Sequence, residues 1–319
     1  MMRRLFINRA FILGLILGSS LGYAGGMKSQ LSIDVPGGNV MTAGNASNFQ
    51  FEILKESGER HIGFMKMHAK PMHLLIVKSD LSSFAHVHPY LNEETGIFTL
   101  PINAASDDPD NFDAQRAVSS SGRYFYFNEM MPTPINEQMP MLMGRGEFYA
   151  EADEATAKAS DQPSLADDEH VSVKYYKENG ELGSEGDFYK VVFSYEQFRF
   201  CSIWMPKFYA KIYMLDENGS YVQGDGFDRW LGMGGHSIVI SKFGTLLKDK
   251  VFYHMHSFLP MAEKGKFVFP YDNHKESLPD GEYKTWIQVN HNQHVYTFSF
   301  TFDYTNPPID DAVNKCVGR

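Results

Sequence analysis

Cysteine is nearly absent from this chain of 319 residues. Only Cys201 and Cys316 occur, and they form no CxxC pair. Thiolate metal sites and a dense disulfide framework are thereby excluded, while one bridge from the tail to the second half, or two buried thiols, stay open. Basic clusters are missing too. Lys and Arg number 29 against 39 Asp and Glu, a net charge of −10 that argues against nucleic acid and anionic membrane surfaces as partners. No phosphate loop, nucleophile elbow or HExxH helix is present, so no catalytic residues are assigned and the chain reads as a non-enzyme. Long apolar runs are lacking as well. The one apolar run, residues 10–21, is too short to favour a membrane span.

That run follows Arg3, Arg4 and Arg9 and precedes Gly22-Tyr23-Ala24, the layout of a secretory signal. Residues 1–24 are expected to be that signal, and the mature chain to be periplasmic or secreted, with no stable membrane insertion. Losing them removes three arginines and no acid, moving the net charge from −10 to −13.

What the chain has is short, alternating, aromatic-rich segments punctuated by turn residues, with 43% hydrophobic residues, enough for two globular cores. The organising stretch is Met72-His73-Leu-Leu-Ile-Val, a turn at residues 80–83, then His86-Val87-His88-Pro89. On a strand, His86 and His88 share a face, and a neighbouring strand brings His73 beside them. Three imidazoles so placed suit a tetrahedral metal with one open position.

The arrangement occurs twice. Trp230-Leu-Gly-Met-Gly-Gly-His236 is followed by His254-Met255-His256. Flanking turns, Gly-x-Phe segments and Gly-x-Tyr segments recur in the same order, which indicates an internal duplication. The expected organisation is a first β-sandwich repeat over residues 28–152, an acidic linker over 153–168, a second repeat with an extra hairpin over 169–305, and a tail over 306–319. The fold class is all-β, with two tandem antiparallel immunoglobulin-like sandwiches and almost no helix.

The candidate metal ligands are His73, His86, His88, His236, His254 and His256, with His68 and Met72 as further candidates. His73, His86 and His88 are read as rim residues of the sandwich. Met255 falls on the opposite face from its flanking histidines. Met65 and Met67 read as core filling. Residues 130–143, with five methionines, read as a hairpin tip or a copper-handling loop. Residues 107–116 read as a surface insertion and His291-Asn-Gln-His294 as an exposed hairpin turn. Asp80 and Glu93 are the acids nearest the histidines in sequence, available to hold their tautomers. The second repeat departs from the first in Ser257, where the first has Pro89, and in an insertion at residues 244–250. Weaker binding is expected there.

The Met72-to-Pro89 stretch, with its Asp80-Leu81 turn and Phe84-Ala-His-Val-His-Pro strand, together with Trp230-Leu-Gly-Met-Gly-Gly-His, resembles exported bacterial proteins with tandem immunoglobulin-like repeats, grouped with YtkA-like domains. The resemblance spans residues 48–153 and 208–303. It implies sandwich repeats and export, and an association with copper or other heavy metals. The function expected from all this is an exported copper- or zinc-binding carrier, buffer or sensor, whose partners are a metal ion and another exported protein. The alternatives are an interaction sandwich whose histidines serve the fold, and a copper-dependent oxidoreductase.

Overall fold

The computed structural model describes residues 27–35, 41–133, 141–151, 172–200, 203–244, 246–258, 262, 264–271 and 276–308. Residues 1–24, expected as a signal, residues 153–168, expected as a linker, both cysteines, residues 134–140 of the methionine-rich segment and residues 309–319 lie outside the described residues. Two compact units divide the described chain: residues 27–67 and 71–151 form the first, and residues 172–308 with residues 68–70 form the second.

The first unit runs β1 (Lys28–Asp34), β2 (Ser47–Leu54), β3 (Phe64–Met65), β4 (Met72–Lys78), β5 (Phe84–Val87), β6 (Tyr90–Asn92), β7 (Ile97–Ile102), the 3-10 segment η1 (Pro109–Arg116), β8 (Gly122–Pro132) and β9 (Leu142–Ala150). One antiparallel sheet has the order β1-β2-β7-β6. The other has the order β3-β8-β4-β5, with β9 also paired to β8. Burial alternates residue by residue along β2, so Phe49, Phe51 and Ile53 all point one way. They meet Met72, Leu74, Ile76 and Tyr126 of the second sheet in a single buried cluster. Two sheets closed on one core make a β-sandwich.

The second unit runs β10 (Val173–Tyr176), β11 (Tyr189–Phe200), β12 (Ile203–Leu215), β13 (Tyr221–Gln223), β14 (Phe227–Asp228), β15 (Gly235–Ser241), the 3-10 segment η2 (Leu247–Asp249), β16 (Phe252–Ser257), β17 (Lys266–Pro270), β18 (Gly281–His291) and β19 (His294–Tyr304). Its second sheet, β14-β18-β15-β16 with β19 on β18, repeats β3-β8-β4-β5 with β9 on β8, strand for strand. Its first sheet carries β11-β12 with β17 on β12, where the first unit has β1-β2-β7. Because β11 takes the place of β1, β10 is surplus; β13 on β12 is a second addition, and β6 on β7 has no counterpart in the second unit. Val191, Phe208, Phe267, Ile287 and Phe300 lie in its core.

One inner strand of each histidine-bearing sheet is buried on both faces. Residues 72–77 of β4 and all of β15 are buried. The cause is legible in their composition: Leu74-Leu75-Ile76-Val77 and Ile238-Val239-Ile240 are continuous apolar runs, which leave no polar face for water. Met72, Leu74 and Ile76 face the core, so His73 and Leu75 face away from it.

Two expectations need correction, and the insertion of the second unit can be placed. Residues 107–116 are not a loose surface insertion: η1 packs on β5 with Asn111 and Asp113 buried. His291 is buried, and the turn is only Asn292-Gln293, both with positive φ (+52° and +64°), as a two-residue hairpin of strand-matching twist requires. The insertion of residues 244–250 sits at the far end of β15 and β16, beyond the Ile240–Phe252 pair. That is four residues from His236, about 13 Å along the strand, and two from His254, about 7 Å. Lys250 closes it by donating from Nζ to the carbonyls of Ser241 (3.0 Å) and Lys242 (3.3 Å).

Candidate metal centres

In the first unit β4 and β5 pair Leu75 with His86 and Leu74 with Val87. Antiparallel partners share a face, so His86 lies on the face of Leu75 and hence of His73, with His88 beyond it. The ring centroids stand 5.4 Å apart for His73–His86, 4.9 Å for His73–His88 and 4.7 Å for His86–His88. His73 Nδ1 lies 3.2 Å from His86 Nε2. Two nitrogens on a tetrahedral zinc at its usual bond length stand about 3.3 Å apart, so this pair already has ligand spacing.

In the second unit β15 and β16 pair His236 directly with His256 and Ile238 with His254. The centroids are 5.5 Å apart for His236–His254, 4.9 Å for His236–His256 and 4.5 Å for His254–His256. Ring tilts agree as well: 36°, 88° and 55° in the first unit against 28°, 81° and 55° in the second. His236, His254 and His256 each offer a nitrogen, all within 4.8 Å of one another, so this cluster could hold a metal ion.

Four of these histidines are not rim residues, whereas His254 and His256 are only half-buried. His86 and His236 are 0% exposed and His73 and His88 are 1% exposed. β4 and β15, which carry His73 and His236, are inner strands apolar on both sides, and His86 and His88 are covered although β5 is an edge strand. Replacing one by alanine would leave a cavity rather than a harmless gap.

Backbone carbonyls set the ring tautomers. A carbonyl only accepts, so His73 Nε2–H donates to Met67 O (3.0 Å) and His88 Nδ1–H donates to Asp110 O (2.8 Å). The other nitrogen of each ring then carries the lone pair, which in His73 faces His86 Nε2, the arrangement that metal-binding histidines usually show. The acids named from sequence play no such part. Asp80 accepts from Ser82 N–H (2.9 Å) and pairs with Lys78 (3.1 Å) within its own turn. Burial pushes its carboxyl up, but the Ser82 hydrogen bonds and Lys78 outweigh that and hold it below the usual range. Glu93 is exposed in the turn after β6.

The segment η1 fixes the outer edge of β5. Asn111 Oδ1 accepts from His88 N–H (2.6 Å), Asn111 Nδ2 donates to His88 O (3.1 Å), and Asp113 Oδ2 accepts from His86 N–H (3.1 Å). Two side chains thus do for β5 what another strand would do: they satisfy its buried backbone groups. Asp108, by accepting from Asp110 N–H (2.9 Å), caps this segment.

The further candidates stand elsewhere. Met72 points into the core with Leu74 and Ile76 and is not aimed at the imidazoles. His68, at φ +46° in the turn before β4, is grouped with the second unit rather than with His73. Met130 is core, and Met141 and Met143 are exposed. Met255 lies in the core, opposite His254 and His256. Ser257, at the Pro89 position, accepts from Val268 N–H (3.0 Å) and so ties β16 to β17.

Sequence reasoning missed Trp230, Asn111, Asp113, Glu129 and Gln288. Trp230 packs edge-on against His236 at 4.7 Å between centroids. Its spacing of six residues from His236, across a tight turn with Leu231 at φ +53° and Gly232 at φ +80°, was the available signal. Glu129 and Gln288 gave one too, as polar residues interrupting otherwise apolar strands.

No family model matches this chain, and no curated protein matches it. Among solved structures, the chain aligns with a DUF4785 family protein from Legionella pneumophila at 8% identity and TM-score 0.25, covering 86% of this chain and 57% of that one. It aligns with dimeric latent PorU from Porphyromonas gingivalis at 12% identity and TM-score 0.22, covering 88% and 24%. MtrC from Shewanella baltica aligns at 9% identity and TM-score 0.22, covering 86% and 68%. The chain thus spans little more than half of the first of these and a quarter of the second.

Proposed function

We propose that this is an exported, non-catalytic metal-binding protein, a carrier, buffer or sensor of copper or zinc, built from two immunoglobulin-like repeats that each present a histidine triad. The observation that carries the reading is the recurrence of one ring geometry in both units, with the same strand pairing beneath it. A histidine kept only for packing has no reason to recur as a converging triplet. Neutral imidazole suits both copper and zinc, and the absence of a thiolate among the donors leaves the harder of the two copper states open. The resemblance to YtkA-like repeats points the same way.

Calorimetric titration of the full chain with Zn(II) and Cu(II) tests this, beside chains carrying His86→Phe with His88→Phe, or His254→Phe with His256→Phe. Phenylalanine keeps ring volume and removes the lone pairs. Each double variant is expected to lose one binding event. Isotherms identical to that of the unaltered chain would leave these histidines structural and favour the interaction-protein reading.

A further inference from the structure

The two histidine clusters match in ring arrangement and strand pairing, and they differ in the residue that stands opposite the first histidine. On β8, Glu129 is the antiparallel partner of His73, on the face that Phe127 and Leu75 share. On β18, Gln288 is the partner of His236. Partners of this kind have Cβ atoms about 5 Å apart and point the same way, so each side chain stands beside the first histidine of its cluster. Both are buried, Glu129 at 5% and Gln288 at 0% exposure. The first cluster therefore has a carboxylate at its side and the second a neutral amide, whose Nε2 donates to Thr297 Oγ1 (3.0 Å). The second is also walled by the indole of Trp230.

We propose that the two clusters are matched to ions of different charge. The first, with Glu129, takes a divalent ion, Zn(II) or Cu(II); the second, with Gln288 in the same place, takes Cu(I). This rests on the metal-binding reading above and deepens it. Three neutral imidazoles and one carboxylate around a divalent ion sum to a net charge of one. Three neutral imidazoles around Cu(I) sum to the same. A divalent ion in the second cluster would leave a net charge of two in a site where His236 and Gln288 are buried and His254 and His256 half-buried. The cost of burying charge grows with its square, so that state is about four times as costly. Glu129 removes the same penalty in the first cluster by bringing its own negative charge, and it helps whether it binds the ion directly or through a ligand's N–H.

The test uses full-length chains in which one cluster is silenced by the histidine-to-phenylalanine pairs above. The probes are Zn(II) by calorimetry and Cu(I) by competition with a bicinchoninate indicator under reductant. In the chain that keeps the first cluster, Glu129→Gln is expected to weaken Zn(II) by about 10–100-fold, the usual effect of losing such a neighbour, and to leave Cu(I) nearly unchanged. In the chain that keeps the second cluster, Gln288→Glu is expected to strengthen Zn(II) by at least tenfold. If Glu129→Gln proves unfolded by circular dichroism, the Gln288→Glu arm carries the test alone. Zn(II) affinity unmoved by either exchange, or equal Zn(II) affinity in the two single-cluster chains, would overturn the charge assignment while leaving metal binding in place. Loss of the metal-binding reading shows differently: the histidine pairs themselves would then change neither isotherm.

Discussion

Asn111 is the residue through which a distant segment grips the first histidine cluster, and removing its side chain is expected to loosen that cluster without touching a histidine. The side chain accepts from His88 N–H (2.6 Å), donates to His88 O (3.1 Å) and donates to Asp108 Oδ2 (3.0 Å). Asn111→Ala leaves both backbone groups of His88 without these partners on the outer edge of β5. Each buried group so stranded costs roughly 1–3 kcal/mol, and some water entry offsets part of it, so the expected loss is about 2–4 kcal/mol. At a urea dependence of about 2 kcal/mol/M, the midpoint of the first unit falls by about 1–2 M. The chain offers a clean way to watch one unit: Trp204, Trp230 and Trp286, its three tryptophans, all belong to the second. The far-ultraviolet circular dichroism transition should therefore shift while the tryptophan emission transition stays put. Amide exchange at His86 and His88 should accelerate, because η1 holds both N–H groups. Unchanged exchange at His88 together with a dichroism midpoint within about 0.2 M of the unaltered chain would refute the clamp, since a stranded buried pair costs more than that.

Three further outcomes follow from the same geometry. Metal affinity should fall as pH drops from about 7 to about 5, because protons compete for the imidazole lone pairs as the solution passes the usual histidine value; calorimetry across that range checks it. Met72→Leu should cost less than about 1.5 kcal/mol and leave the metal isotherms alone, since Met72 fills the core; a lost binding event would make its sulfur a ligand after all. His291, which lies 2.7 Å by Nδ1 from the Tyr189 hydroxyl, is held below the usual histidine value by burial, against the opposing pull of the Asp225 backbone and the Asp228 charge. With the folded value depressed, the unfolded chain binds the extra proton first, so this contribution is complete above about pH 6.5 and declines as pH falls below it. Tryptophan-detected unfolding should show that slope, and His291→Phe should flatten it.

Much of the fold follows from local sequence. The alternation in residues 47–54 is enough to make β2 a half-buried strand, because side-chain period two is a property of the extended chain itself. The same rule places Met255 opposite His254 and His256, and puts His86 and His88 on one side. The unbroken apolar runs after His73 and His236 were equally legible, but as composition only. That they bury both faces, and with them His73 and His236, depends on what the remaining chain lays over them. Asn111 and Asp113, more than twenty residues beyond the histidines they hold, carry no local mark of that role, because a hydrogen bond between distant segments leaves no period in either. The carbonyls of Met67 and Asp110 are invisible in sequence altogether, since every residue has one. Glu129 meets His73, and Gln288 meets His236, through strand register across more than fifty residues, and register is settled only when the sheets close on their cores. The chain alone thus determined which residue types recur and which share a face; tertiary structure decided their burial, their tautomers and the charge beside them, because those depend on neighbours that local sequence does not name.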